Sequence, residues 1–341
     1  MTDLLSDMLS RREWLLTDGA TGTNLMSMGL TQGYPPEQWN VEHPDKIRAH
    51  YRSFIEAGSD IVLTNTFGGT ANRMKLHGAQ DQVYEINKIA AELLKDEIAK
   101  SGREVVAAGS MGPTGELFEP TGDLKVEEGR AAFAEQVRGL KDGGVDVCWV
   151  ETMFDETELR AALEAVAEHE LPACFTMSFD SSGRTMMGLT PAYCLELAQN
   201  LTPRPVATGG NCGTGAPDLL AGLISVQDTL PPDIAIATKA NCGVPEWRGD
   251  EIVYNGTPEL MANYAIMARN AGARIIGGCC GTTPDHIRAM REALETREKG
   301  DCPTLEAVIA EIGPLTGTTS SLVEGGEPDR RRRRPRRRPA K

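Results

Sequence analysis

Two cysteines stand side by side at the end of an apolar run, Ile275-Ile276-Gly277-Gly278-Cys279-Cys280-Gly281. A third, Cys212, follows another strand-like run inside Gly209-Gly210-Asn211-Cys212-Gly213. Three thiolates at strand ends, each flanked by glycine, point to a three-cysteine Zn2+ site with one coordination position open. A closed four-ligand zinc site is usually structural, whereas an open one does chemistry. Glycine lets backbone and ligand come close to the metal. Three thiolates make Zn2+ a poor Lewis acid for water but a good holder of a fourth thiolate. Zinc deprotonates a bound thiol, so the site suits activation of a substrate thiol as nucleophile.

Two carboxylates sit at comparable positions. Asp18 follows the first apolar run in Asp18-Gly19-Ala20-Thr21-Gly22-Thr23, and Glu151 ends the fourth in Trp149-Val150-Glu151-Thr152. Facing one mouth, they would hold an ammonium group, and the backbone N–H groups of Gly19 and Ala20 would take a carboxylate as a nest. Thiol, amine and carboxylate together describe a thiol amino acid. The plainer readings are a turn cap for Asp18 and a barrel-core ion pair for Glu151. The Gly-rich turn lacks both the Walker lysine and the GxGxxG spacing of a nucleotide site. Cys242, in Asn241-Cys242-Gly243, is a candidate fourth ligand, while Cys148, Cys174 and Cys194 lie within elements and are expected to pack. None of the five histidines is assigned a role. Lys239 is the one strand-end lysine that would offer a Schiff base to an aldolase-like reaction.

These residues need a scaffold that gathers strand ends. Short apolar runs alternate with amphipathic stretches throughout the chain. The runs are 14–17, 60–66, 104–110, 145–152, 173–179, 205–208, 234–240 and 273–277. Most are apolar on both faces, as a buried parallel sheet requires. Helical patterns cover 44–57, 82–101, 126–142, 156–168, 191–200, 217–227, 257–271 and 284–296. Several open on Pro and close before Gly. Eight strands and eight helices imply a (β/α)8 TIM barrel over residues 1–312, with an open doubly wound sheet as the alternative. Chemistry in a barrel collects at the C-terminal strand ends, where Asp18, Glu151, Cys212, Asn241 and Cys279-Cys280 fall.

The chain has 341 residues, 40% of them hydrophobic and 25% charged, an ordinary globular balance. The segment 1–12 has no apolar signal core, and no run approaches the about 20 apolar residues of a membrane span. A cytoplasmic location with reduced thiols is expected, so cysteine clusters favour metal or catalysis. The net charge is −14. Residues 330–341 carry eight Arg and one Lys, and removing them leaves −23 on the rest. An acidic body argues against nucleic acid as partner. Residues 313–341 read as a linker and a disordered Arg-rich tail, either a solubilising segment or a docking arm for an acidic partner protein.

The segment Ile276-Gly277-Gly278-Cys279-Cys280-Gly281-Thr282-Thr283-Pro284, with Asn211-Cys212-Gly213 upstream, resembles the homocysteine S-methyltransferase family over roughly 15–291. The resemblance implies a TIM barrel, Zn2+ on Cys212, Cys279 and Cys280, and homocysteine as methyl acceptor. It places Asp18 and Glu151 on the homocysteine ammonium, and Asn241 near the open zinc position. Betaine-using members hold their donor in an aromatic cage, whose positions fall on Gly68 and Thr152 here; Tyr34 and Trp39 are the nearest aromatics in the first loop. The segments Thr64-Asn65-Thr66-Phe67 and Gly112-Pro113-Thr114 are similar to the homocysteine module of cobalamin-dependent methionine synthase. Chains of this type are nevertheless grouped with the betaine enzymes, so betaine is the expected donor, with methyl transfer from a corrinoid partner protein as the alternative. A corrinoid protein and a second copy of the chain are the macromolecular partners considered.

Overall fold

A computed structural model describes residues 3–319 apart from 181, 244, 249, 250 and 318. Eight parallel strands form one sheet: β1 (Leu15–Leu16), β2 (Ile61–Leu63), β3 (Val106–Met111), β4 (Val147–Met153), β5 (Ala173–Met177), β6 (Ala207–Cys212), β7 (Ala235–Ala240) and β10 (Ile275–Gly278). Their order is β1-β10-β7-β6-β5-β4-β3-β2. A parallel bridge from Thr17 to Ile61 joins the two ends and closes the ring. This is a (β/α)8 barrel, as the alternation of the sequence implies. The intervening helices include Pro44–Ala57, Val83–Ser101, Val126–Asp142, Glu156–Glu168, Pro191–Asn200, Pro258–Asn270 and Pro284–Thr296. Among the described residues five α-helices carry Pro in the first turn, where its missing N–H costs nothing.

The barrel interior is filled by side chains that point inward at alternate strand positions. Leu15, Ile61, Leu63, Val106, Ala108, Val147, Trp149, Ala237 and Ile275 belong to one buried cluster. A short helix, Leu4–Arg11, packs its apolar side into the same cluster through Leu5, Met8 and Leu9. Asp3 caps it by accepting the Ser6 N–H at 2.8 Å. Buried Asp60 ties the strand starts together, accepting from the Leu16 N–H at 3.0 Å and pairing with Arg12 and Arg291 at 2.8 and 2.9 Å. With one end of the barrel sealed, the opposite strand ends are left to build a cavity.

Several elements are absent from the periodicity reading, among them the short helices Gly22–Ser27, Trp39–Glu42 and Ala71–Met74, and two bear on the barrel. The first is the helix Leu4–Arg11, within a segment that reads as polar and mixed. The second is an antiparallel hairpin, β8 (Pro245–Arg248) and β9 (Glu251–Tyr254), inserted after β7. Among the described residues no helix is long and apolar enough to cross a membrane. The Arg-rich segment 330–341 lies outside the described residues.

Leu5 is fully buried. Leu5→Ala is expected to lower unfolding free energy by about 2–5 kcal/mol, read as a drop in the urea midpoint at unchanged slope. A midpoint equal to wild type would show that the helix does not plug the barrel.

Candidate metal centre and substrate cavity

Strand β6 runs four residues beyond the apolar stretch that announces it, through Gly209 and Gly210 to Cys212, which pairs in register with Ala240 of β7. Cys212 has φ of 60°, a left-handed conformation uncommon outside glycine. Gly213 follows at φ 64°, and a Cβ there would meet the Phe179 carbonyl oxygen at 2.2 Å. Strand β10 ends at Gly278, so Cys279 and Cys280 lie in a turn, not in regular strand. The Thr282 N–H closes that turn on the Cys279 carbonyl at 3.1 Å, with Gly281 at φ 77°. The turn removes the objection that adjacent strand residues face opposite ways.

The Sγ atoms of Cys212, Cys279 and Cys280 all lie within 4.8 Å of one another, and Cys212 and Cys280 are 3.9 Å apart. Tetrahedral Zn2+ with Zn–S bonds of about 2.3 Å needs sulfurs about 3.8 Å apart. Three soft sulfur donors at that spacing fit the ion. Without a cation the thiols share protons. Hydrogen bonds from Cys212 and Cys279, together with the Tyr254 hydroxyl, hold Cys280 down at about 3, against the effect of burial. Cys212, hydrogen-bonded to Cys279 and Cys280, is pushed well above the thiol range. Metal binding must displace the protons that the cluster holds.

Two asparagines brace the sulfurs. The Asn241 side chain accepts the Cys280 N–H at 3.1 Å and donates to the Gly213 carbonyl at 2.9 Å. Asn241 thus acts as a strut between the two cysteine turns. Asn211 donates to Thr152 Oγ1 at 2.7 Å and lies 3.8 Å from Cys279 Sγ. Cys242 is not a fourth ligand. It is 1% exposed, its thiol meets the Gly256 carbonyl oxygen at 3.3 Å and His286 Nε2 at 3.1 Å, and it stands outside the sulfur cluster. Cys148, Cys174 and Cys194 are buried, and burial pushes Cys148 and Cys194 up to about 12. They pack, as expected.

A cavity of about 550 Å³ opens above the sulfurs. Its inner wall includes Gly19, Ala20, Leu63, Ser110, Glu151 and Lys239, and its outer wall Met26, Tyr34, Phe67, Arg73 and Leu76. Asp18 Oδ2 accepts the Leu63 N–H at 2.7 Å, while Oδ1 has no hydrogen-bond partner among the described residues. Burial raises the Asp18 carboxyl to about 7, against the opposing pull of Lys239 and the Leu63 N–H. Glu151 accepts from Ser110 Oγ at 2.6 Å and from Lys239 Nζ at 3.2 Å. The plainer reading of Glu151 as half of a barrel-core ion pair is thus realised, on the wall of the cavity. Burial by itself would lower Lys239, but Glu151 and Asp18 outweigh it and hold the ammonium above its ordinary range. A lysine so paired is a poor Schiff-base nucleophile, which removes the aldolase-like reading. The Ala20 N–H is already spent on the Thr282 carbonyl at 3.0 Å. Of the expected nest, only Gly19 keeps an N–H not committed in this way. Trp39 is 4% exposed and packs on His43 and Lys46 away from the cavity. Tyr34 lines it.

Three thiols, two carboxylates and a lysine thus meet at the C-terminal strand ends of a (β/α)8 barrel. Residues 15–294 match the family model described as homocysteine S-methyltransferase. The chain belongs to that family and is a methyltransferase. It is 29% identical over 320 residues to methionine synthase of Mycobacterium leprae (strain TN). That match covers 89% of this chain but only 26% of the relative, so the chain spans about a quarter of its length. The metallated form of the homocysteine methyltransferase MmuM from Escherichia coli superposes with a TM-score of 0.71 at 25% identity, covering 85% of this chain and 99% of MmuM. Its oxidised form gives 0.70 at the same identity and coverage.

Two expectations follow. Asn241→Ala is expected to weaken Zn2+ binding about 10- to 100-fold, measured by competition with a chromophoric chelator; unchanged affinity would remove the strut. A carboxyl raised on folding stabilises fully below its unfolded value of about 3.9 and loses that contribution as pH rises through about 7. Zinc-free wild type should therefore lose roughly a few kcal/mol relative to Asp18→Asn as the pH rises from 4 to 8. Parallel urea midpoints across that range would contradict the buried carboxyl.

Proposed function

We propose that this chain is a zinc-dependent homocysteine S-methyltransferase that forms methionine, with glycine betaine as methyl donor. The observation that carries the reading is the three-thiol cluster lining a cavity whose wall includes Glu151 and Lys239, with buried Asp18 3.9 Å from Lys239. Zn2+ on Cys212, Cys279 and Cys280 would supply deprotonation of the acceptor thiol at neutral pH. The residues of the chain do the rest. Asp18 Oδ1, unpartnered and buried, and Glu151 accept the acceptor's ammonium. Asn241 and Asn211 hold the sulfur-bearing turns in place. Leu63, Phe67 and Met74 supply apolar wall that excludes water from the transferred methyl. The acceptor sulfur forms its bond to the methyl carbon as the carbon–nitrogen bond of betaine breaks, and dimethylglycine leaves with the electron pair.

The cavity has more room than a small amino acid fills, which favours a small second substrate beside the acceptor. The positions expected for an aromatic cage are otherwise used. Gly68 donates its N–H to buried Glu37 at 2.6 Å, and Thr152 donates its N–H to Asn211 Oδ1 at 2.9 Å. A second reading is therefore retained: the chain is the homocysteine-activating subunit of a split methionine synthase and takes methyl from a corrinoid partner. The likeness to methionine synthase favours it, as does the exposed apolar rim of Met26, Tyr34 and Leu76, at 46%, 40% and 70%.

Zinc-loaded protein with homocysteine and betaine as sole donor is expected to release methionine, and Cys280→Ala to lose both zinc and turnover. An active, zinc-free Cys280→Ala protein would end this mechanism. If the wild type binds zinc and homocysteine but turns over only with methylcobalamin on a partner, the second reading replaces the first.

A further inference from the structure

The proposed reaction leaves the buried lysine on the cavity wall without a part. Lys239 lies on β7 in register with Asn211 of β6 and Gly277 of β10, between the two strands that lead into the thiols. Its side chain is 3% exposed. Nζ is 3.2 Å from Glu151 Oε2, 3.9 Å from Asp18 Oδ1 and 5.6 Å from the centre of the Trp149 ring. A buried lysine on an apolar barrel layer is costly unless its donors are used. The ammonium has three N–H donors. One meets Glu151, and Asp18 Oδ1 stands beyond hydrogen-bond length and has no other partner. Donor capacity on the cavity wall, and acceptor capacity on the buried carboxylate just behind it, therefore both remain unspent. An α-amino acid brings an ammonium and a carboxylate to these groups together. Without Lys239, three carboxylates would crowd around one ammonium; with it, positive and negative groups alternate.

We propose that Lys239 Nζ donates to the α-carboxylate of the thiol amino acid while Asp18 Oδ1 and Glu151 take its ammonium. Lys239 then makes the cavity selective for thiols that carry a carboxylate. Asp18 and Glu151 alone would accept any amino-thiol. The inference rests on the reading of homocysteine as acceptor. It also explains why one of the two nest N–H groups, that of Ala20, can be committed to Thr282: the side chain replaces it as donor.

The test is calorimetric titration of zinc-loaded wild type and Lys239→Met with three thiols of matched length. These are homocysteine, 3-aminopropanethiol, which lacks the carboxylate, and 4-mercaptobutanoate, which lacks the amine. Lys239→Met is expected to weaken homocysteine and 4-mercaptobutanoate about tenfold or more and to leave 3-aminopropanethiol within about twofold. Equal weakening of all three would make Lys239 an internal counter-ion and overturn the proposal, as would unchanged homocysteine affinity. If Lys239→Met does not load zinc, the charge-balanced pair Glu151→Gln with Lys239→Met carries the same comparison against Glu151→Gln alone. Failure of the wild type to bind any of the three would remove the acceptor reading itself, and this proposal with it.

Discussion

Three sulfur atoms within 4.8 Å of one another cannot all be anions unless a cation stands among them. That constraint organises the top of the barrel. It requires β6 to end in a residue with left-handed backbone, and β10 to stop short of its two cysteines so that a turn can present both sulfurs. It also requires second contacts that fix the turns, which Asn241 and Asn211 provide. The sulfurs come from strands on either side of β7, so the residues of that strand are the ones able to link them. Asn241 does so just past its end, and Lys239 carries the same strand's charge to the carboxylates on the cavity wall.

The electrostatics of the cavity follow from burial. Asp18 is raised toward neutrality because it loses water, and Lys239 remains charged because two carboxylates face it. On the proposed reading, a zwitterionic acceptor finds acidic and basic groups already placed around it and needs little reorganisation when it enters. The cost is borne by the rest of the barrel, whose interior below this layer is apolar and plugged by Leu5, Met8 and Leu9.

Much of this was legible in the amino-acid order. The helix over Pro284–Thr296 has the bounds that its proline start and polar end imply. The cysteines are placed by the apolar runs before them. The periodicity misplaces the end of β6, because Gly209, Gly210 and Asn211 carry no β signal although they pair with β7; the tertiary ladder, and not propensity, extends the strand. The helix Leu4–Arg11 is too short for its amphipathic pattern to stand out. Hydrogen-bond commitments are not written in sequence. The spent Ala20 N–H, the doubly engaged Asn241, the diversion of Cys242 to Gly256 and His286, and the insertion of Lys239 between two carboxylates all depend on contacts between distant segments.

The central claim is that Cys212, Cys279 and Cys280 supply three sulfurs to Zn2+ and leave one position for the acceptor's sulfur. X-ray absorption at the zinc edge, before and after homocysteine, tests it most directly. The account expects three sulfur scatterers at about 2.3 Å with a lighter fourth neighbour, becoming four sulfurs when homocysteine is added. Four sulfurs before homocysteine, or a shell that homocysteine leaves unchanged, would contradict it.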